Sequence, residues 1–161
     1  MYPVDERDQV VEIHGLPQSD VGAPDPIVVA DERRLLLAYL LAEPGQPDFG
    51  RPERWAVVEV EGCRAHFFGP PNDEALHGHP LYDRGLTPYG VFEVRDSSWI
   101  RLMETRNRVH YRHDPSGYAR LVHFIFTFHD SVFECVGESL VSTVEDWDKD
   151  FVTDLARRLR A

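Results

Sequence analysis

At 161 residues, with 42% hydrophobic and 28% charged side chains, the chain has the size and balance of one globular domain that can bury its own core. A net charge of −11 argues against non-specific binding to nucleic acid or to an anionic membrane, and no apolar run approaches the ~20 residues that a membrane span needs. The opening MYPVDERDQV lacks the basic and apolar parts of a signal peptide, and Cys63 and Cys135 have neither disulfide-framework nor metal-type spacing, so a soluble cytoplasmic protein is expected.

Residues 1–26 are polar and Pro-containing (LPQSDVGAPDP) and read as an irregular N-terminal arm, with residues 27–161 as the single globular domain. From Ile27 the chain turns apolar, and the run from Arg33 to Ala42 reads as a strand before the Pro44-Gly45 breaker. Residues 54–69, RWAVVEVEGCRAHFFG, read as a hairpin turning at Glu61-Gly62. That register puts Val60, Val58 and Ala56 opposite Cys63, Ala65 and Phe67, and Glu59 opposite Arg64. Both cysteines then fall on apolar faces, as buried free thiols do.

Residues 70–90 form a Pro- and Gly-rich loop of a length that is uncommon inside a compact domain and often functional. A short strand over Val91–Val94 follows. Asp96-Ser97-Ser98 then offers an N-cap to a helix that carries Trp99, Leu102 and Met103 on one side and ends near His110.

The clearest signal lies in Tyr118–Thr143. Val122, Phe124, Phe126 and Phe128 alternate with His123, Ile125, Thr127 and His129, and the alternation resumes through Phe133 and Cys135. A turn at Asp130-Ser131 would place Phe128 opposite Phe133, Phe126 opposite Cys135, Thr127 opposite Glu134 and His123 opposite Glu138. The aromatic face is core. The His/Glu face is ordinarily a solvent face, and becomes a site only where the 70–90 loop folds over it. For the C-terminal stretch, Ser142 and Glu145 fit a capping box, and Trp147, Phe151, Leu155 and Leu159 recur every four residues along one helical stripe. Hairpins with segregated helices imply an α+β fold, an antiparallel sheet with two helices packed on one side.

Eight histidines are the compositional oddity. A carboxylate beside an imidazole makes an acid/base pair, so His123, His129 and Glu134 are the candidate catalytic groups. His79, His110 and His129 are the candidate ligands if the site holds a divalent metal ion. Arg95, Arg101, Arg106, Arg108 and Arg112 crowd one segment, where guanidinium groups suit an anionic small molecule. Of these, Arg106 and Arg108, with Asn72, Asp73 and Glu74 in the loop, are the candidate ligand-binding residues. Each set has a plainer reading, as solvated helix face, helix cap or surface loop.

FGPPNDEA (68–75), GHPLYDRGL (78–86), SSWIRLME (97–104) and HFIFTFHDSVFEC (123–135) resemble a family of small uncharacterised bacterial proteins, over most of the chain beyond Gly22. The resemblance implies a bacterial, cytoplasmic, stand-alone protein and carries no catalytic role. Three functions are consistent with these residues. The first is a small enzyme with a His/Glu site, metal-assisted or not, acting on an anionic small molecule. The second is a non-catalytic module that binds a small ligand or a protein. The third is a homo-oligomeric interaction protein.

Overall fold

A computed structural model describes residues 2–42 and 52–160, so the Pro44-Gly45 breaker lies outside the described residues. Among the described residues, nine strands form two antiparallel sheets. The five-stranded sheet has the order β1 (Gln9–Glu12), β6 (Val91–Arg95), β7 (Val122–Thr127), β8 (Val132–Gly137), β5 (Ala65–Gly69). The four-stranded sheet has the order β2 (Ile27–Ala30), β3 (Leu35–Leu40), β4 (Arg54–Glu61), β9 (Ser139–Asp146). Two helices complete it, α1 (Ser98–Asn107) and α2 (Phe151–Arg158).

The period of two builds the core between the sheets. Leu35, Leu37, Tyr39, Ala56, Val58 and Val60 from one sheet meet Phe124, Phe126, Phe128, Phe133 and Cys135 from the other. Fully burying each large side chain of this kind stabilises the fold by roughly 1.5–3 kcal/mol. The opposite parity is buried as well. On the four-stranded sheet, Leu36, Ala38, Trp55 and Val57 lie under Phe151 and Leu155 of α2. On the five-stranded sheet, Ile125, Val132, Phe92 and Val94 lie under Leu76, Leu81 and Leu86 of the long loop, with Tyr2 and, from α1, Trp99 and Leu102. The antiparallel α+β architecture is thus a sandwich of two sheets with one helix on each outer face, rather than both on one side.

Several local expectations change for identifiable reasons. The central hairpin pairs Phe126 with Phe133 and Phe124 with Cys135, with His129-Asp130 as its two-residue loop. This is two residues from the expected register, and a shift of two preserves which residues share a face. Residues 54–69 are not a hairpin. β4 pairs with β3 and β9, β5 pairs with β8, and the chain crosses between sheets at Gly62 (φ 59°). Glu59 accordingly pairs with Arg34 (3.0 Å) rather than Arg64. The region of the supposed capping box is strand β9, because Val144 and its neighbours pair with β4. Glu145 instead accepts two hydrogen bonds from Arg158, at 2.8 and 2.6 Å, tying α2 back to that strand. The N-terminal arm is not irregular throughout: β1 extends the five-stranded sheet, and Tyr2 is buried.

The two sheets approach each other closely at Gly137. A Cβ there would stand 2.5 Å from the Val60 side chain and 2.9 Å from the Glu61 carbonyl. Gly137→Ala should therefore lower the unfolding free energy by about 1–3 kcal/mol, the cost typical of overpacking. Urea denaturation checks it, and an unchanged midpoint would contradict the close approach.

Candidate functional site

Because both faces of the five-stranded sheet are covered, the polar residues of β7 and β8 are interior groups. His123 and Glu134 are buried, whereas Glu138 is exposed and near Arg120 at 3.6 Å. The two-residue register shift makes His123 the diagonal neighbour of Glu134, and the histidine Nε2 lies 3.0 Å from Glu134 Oε2. The long loop adds His79, also buried, with Nε2 3.1 Å from Glu134 Oε1. The N-terminal segment adds Tyr2, whose hydroxyl donates to Glu134 Oε2 at 2.5 Å.

The remaining ring nitrogens have partners too. His79 Nδ1 accepts from the Leu81 backbone N–H at 3.2 Å, which leaves its proton on Nε2, pointing at the carboxylate. His123 Nδ1 lies 3.0 Å from the Ser97 hydroxyl. Ser97 is the N-cap of α1, where its hydroxyl also accepts from Ile100 N–H at 3.4 Å. Glu134 thus receives three donors from three distant segments. Burial alone pushes its carboxyl up, but the hydrogen bonds from His123 and His79, the charge of His123 and the bond from Tyr2 outweigh this and bring it down to about 2. Burial and the adjacent Glu134 push the Tyr2 phenol well up, so it stays a donor.

This network floors a cleft of about 200 Å³ lined by Tyr2, His66, Phe67, Trp99, Leu102, Arg106 and Glu134. Trp99, Leu102 and Arg106 lie three and four residues apart on α1 and so share one helix face. Phe67 comes from β5, directly opposite Glu134 in the ladder, and is part-exposed at the sheet edge.

His129 does not join Glu134. It forms a second cluster with Asp73 and Tyr89: Nδ1 lies 3.1 Å from Asp73 Oδ2 and 3.3 Å from the Tyr89 hydroxyl, which also donates to Asp73. Hydrogen bonds from Tyr89, the Glu74 N–H and His129 hold Asp73 below the usual carboxylate range. Tyr89 sits at φ 60°, a strained position for a bulky residue.

The expected metal ligands do not converge. His79 belongs to the first cluster and His129 to the second, while His110 is exposed and accepts from Arg112 N–H at 3.1 Å. Among the described residues, no three His, Cys, Asp or Glu side chains are arranged to hold a metal ion. The expected ligand-binding residues separate as well. Arg108 is held by Glu104 at 2.7 Å, and Asn72 caps the turn at Ala75 N–H at 3.0 Å. Glu74 is exposed and its carbonyl accepts from His77, whereas Asp73 belongs with His129. Arg106 lines the cleft and has no carboxylate partner among the described residues. Tyr2, His66 and Tyr89 carried no signal in the sequence, Phe67 was legible only as an apolar strand position, and Ser97 and Trp99 only as cap and helix face.

Compared with protein-family models, curated proteins and solved structures, the chain finds no match. Among the described residues, no helix is long and apolar enough to cross a membrane.

A depressed carboxyl stabilises the fold fully above its ordinary pKa, and that stability is lost as pH falls through the folded value. For Glu134 the window runs from 4.5 down to about 2. Glu134→Gln should cost about 3 kcal/mol at neutral pH, and the deficit relative to wild type should shrink as pH falls through that window. Urea unfolding across pH 7 to 3 measures it, and a pH-independent deficit would rule out the ionised carboxylate as its source.

Proposed function

We propose that the protein binds a small aromatic anion in the cleft between α1 and β5, without catalysis at the buried His/Glu cluster. The observation that carries this reading is the pairing of a guanidinium that has no carboxylate partner among the described residues with aromatic walls over a closed polar floor. Arg106 offers a bidentate contact to a carboxylate or phosphate. Trp99, Leu102 and Phe67 supply the apolar body of the site, as small-ligand clefts require. The fixed negative charge of Glu134 repels an anionic group from the floor, so the ligand's anion faces Arg106. Both nitrogens of His79 and of His123 are engaged, and a carboxyl with a pKa of about 2 is a weak base, which favours binding over proton transfer at this cluster. A bacterial, cytoplasmic setting belongs to the same reading, and the free thiols Cys63 and Cys135 suit a reducing compartment.

Phenylacetate is a suitable probe, followed by NMR through the Trp99 indole. Saturable shifts are expected, with affinity weakened about tenfold in Arg106→Ala by loss of a charge-assisted contact. No shift at Trp99 at any attainable concentration would remove the cleft as a ligand site.

A second reading rests on the Asp73–His129 pair. Asp73 orients the ring through Nδ1, His129 Nε2 has no partner among the described residues, and the side chain is 41% exposed. That is the arrangement of a general base. Hydrolysis of 4-nitrophenyl acetate that is lost in His129→Ala and retained in Glu134→Gln would support it. Equal rates in wild type and both variants would remove it.

A further inference from the structure

We infer that Tyr2 occupies a phenol-binding pocket belonging to the ligand, and that the protein's ligand is a para-substituted phenol carrying an anionic group that reaches Arg106. This inference rests on the cleft reading above and extends it inward, since Tyr2 is both the plug and one wall of that cleft.

The Tyr2 ring is held as a bound phenol would be. It stacks on Trp99 with centroids 5.0 Å apart and planes 8° from parallel. The His123 ring meets it edge-on at 5.2 Å. Its hydroxyl donates to the ionised Glu134 at 2.5 Å and lies 3.4 Å from His123 Nε2. The pocket therefore combines a flat aromatic wall, an apolar surround and one strong acceptor at its end. A neutral O–H on an aromatic ring matches all three. With His79 and His123 both donating to the carboxylate, Glu134 stays paired when Tyr2 leaves, so the pocket persists as a binding site.

The segment bearing Tyr2 is attached for release rather than for permanence. Among the described residues, the backbone of Tyr2, Pro3 and Val4 makes no hydrogen bond, and the strap is held by its side chains. The clasp begins after it. Asp5 N–H donates to Asp8 at 2.9 Å, Asp5 pairs with Arg101 at 2.6 Å, and the buried Asp8 carboxylate accepts from Ser98 N–H at 2.6 Å at the start of α1. Displacement of residues 2–4 thus leaves β1 and the α1 cap intact. Once the ring swings out, its pocket and the cleft under Arg106 become one continuous space.

Tyr2→Ala in the full chain tests this by calorimetric titration with two probes, 4-hydroxyphenylacetate and phenylacetate. The variant should bind the hydroxylated acid about tenfold or more tightly than wild type does, and about tenfold more tightly than it binds phenylacetate, the margin of one hydrogen bond to a charged acceptor. A folded variant that gains nothing over wild type, or that binds both acids equally, would make Tyr2 an ordinary core residue and overturn the inference. If Tyr2→Ala does not fold, Val4→Ser, which loosens the strap and keeps the phenol, should show the same gain for the hydroxylated acid, and no gain overturns it. The two readings fail separately. Phenylacetate bound by wild type and weakened by Arg106→Ala, without a hydroxyl preference in Tyr2→Ala, leaves the cleft standing and removes only the phenol pocket.

Discussion

A carboxylate buried under a sheet face cannot be left unmatched. Taking one ion out of water costs several kcal/mol even after relaxation, and only well-placed donors offset it. Glu134 meets that demand with Tyr2, His79 and His123, which come from the N-terminal segment, the long loop and the neighbouring strand. Each donor brings structure with it. His79 carries the loop whose Leu76, Leu81 and Leu86 cover the outer face, and His123 ties in Ser97 and hence the first turn of α1. The outer layer of the five-stranded sheet is organised around one acidic side chain.

The opening left by that layer is where the proposed ligand site lies. The loop covers one part of the sheet and α1 another, while β5 stands at the edge with Phe67 and Phe68 part-exposed. Both ends of the loop, at Asp73 and at Tyr89, are pinned together on His129, next to the hairpin turn. One polar cluster at the loop's two ends, a second at His79 and the buried Leu76, Leu81 and Leu86 between them hold this 21-residue segment, rich in Pro and Gly, over the sheet. Its composition alone does not require that.

Alternation in β7 and β8 showed which residues share a face, and that survived a register error because the error was even. Alternation did not show that the second face was covered. A strand of period two with His and Glu on one parity normally faces water, and only the loop, α1 and Tyr2 make those positions interior. The supposed hairpin at 54–69 failed for a related reason. A turn signal at Glu61-Gly62 marks a change of direction, but local residues do not say whether the next strand returns to the same sheet or crosses to the other. At the C-terminus the stripe Phe151, Leu155 and Leu159 does pack as a helix face, whereas Ser142 and Glu145, a fair capping box in isolation, were overruled by strand pairing with β4.

The amino-acid sequence by itself determined the fold class, the Phe/Cys core face, the capped helix after Asp96 and the presence of a long loop, because these follow from periodicity and from local backbone chemistry. Only the tertiary structure decided which polar residues meet. His79 and Glu134 are 55 positions apart and Tyr2 and Glu134 are 132 apart, and no local pattern encodes those distances. Sharing a strand face made His123 and Glu134 possible partners. The diagonal register and the covering layer made them actual ones, and sent His129, on the same parity, to a different cluster.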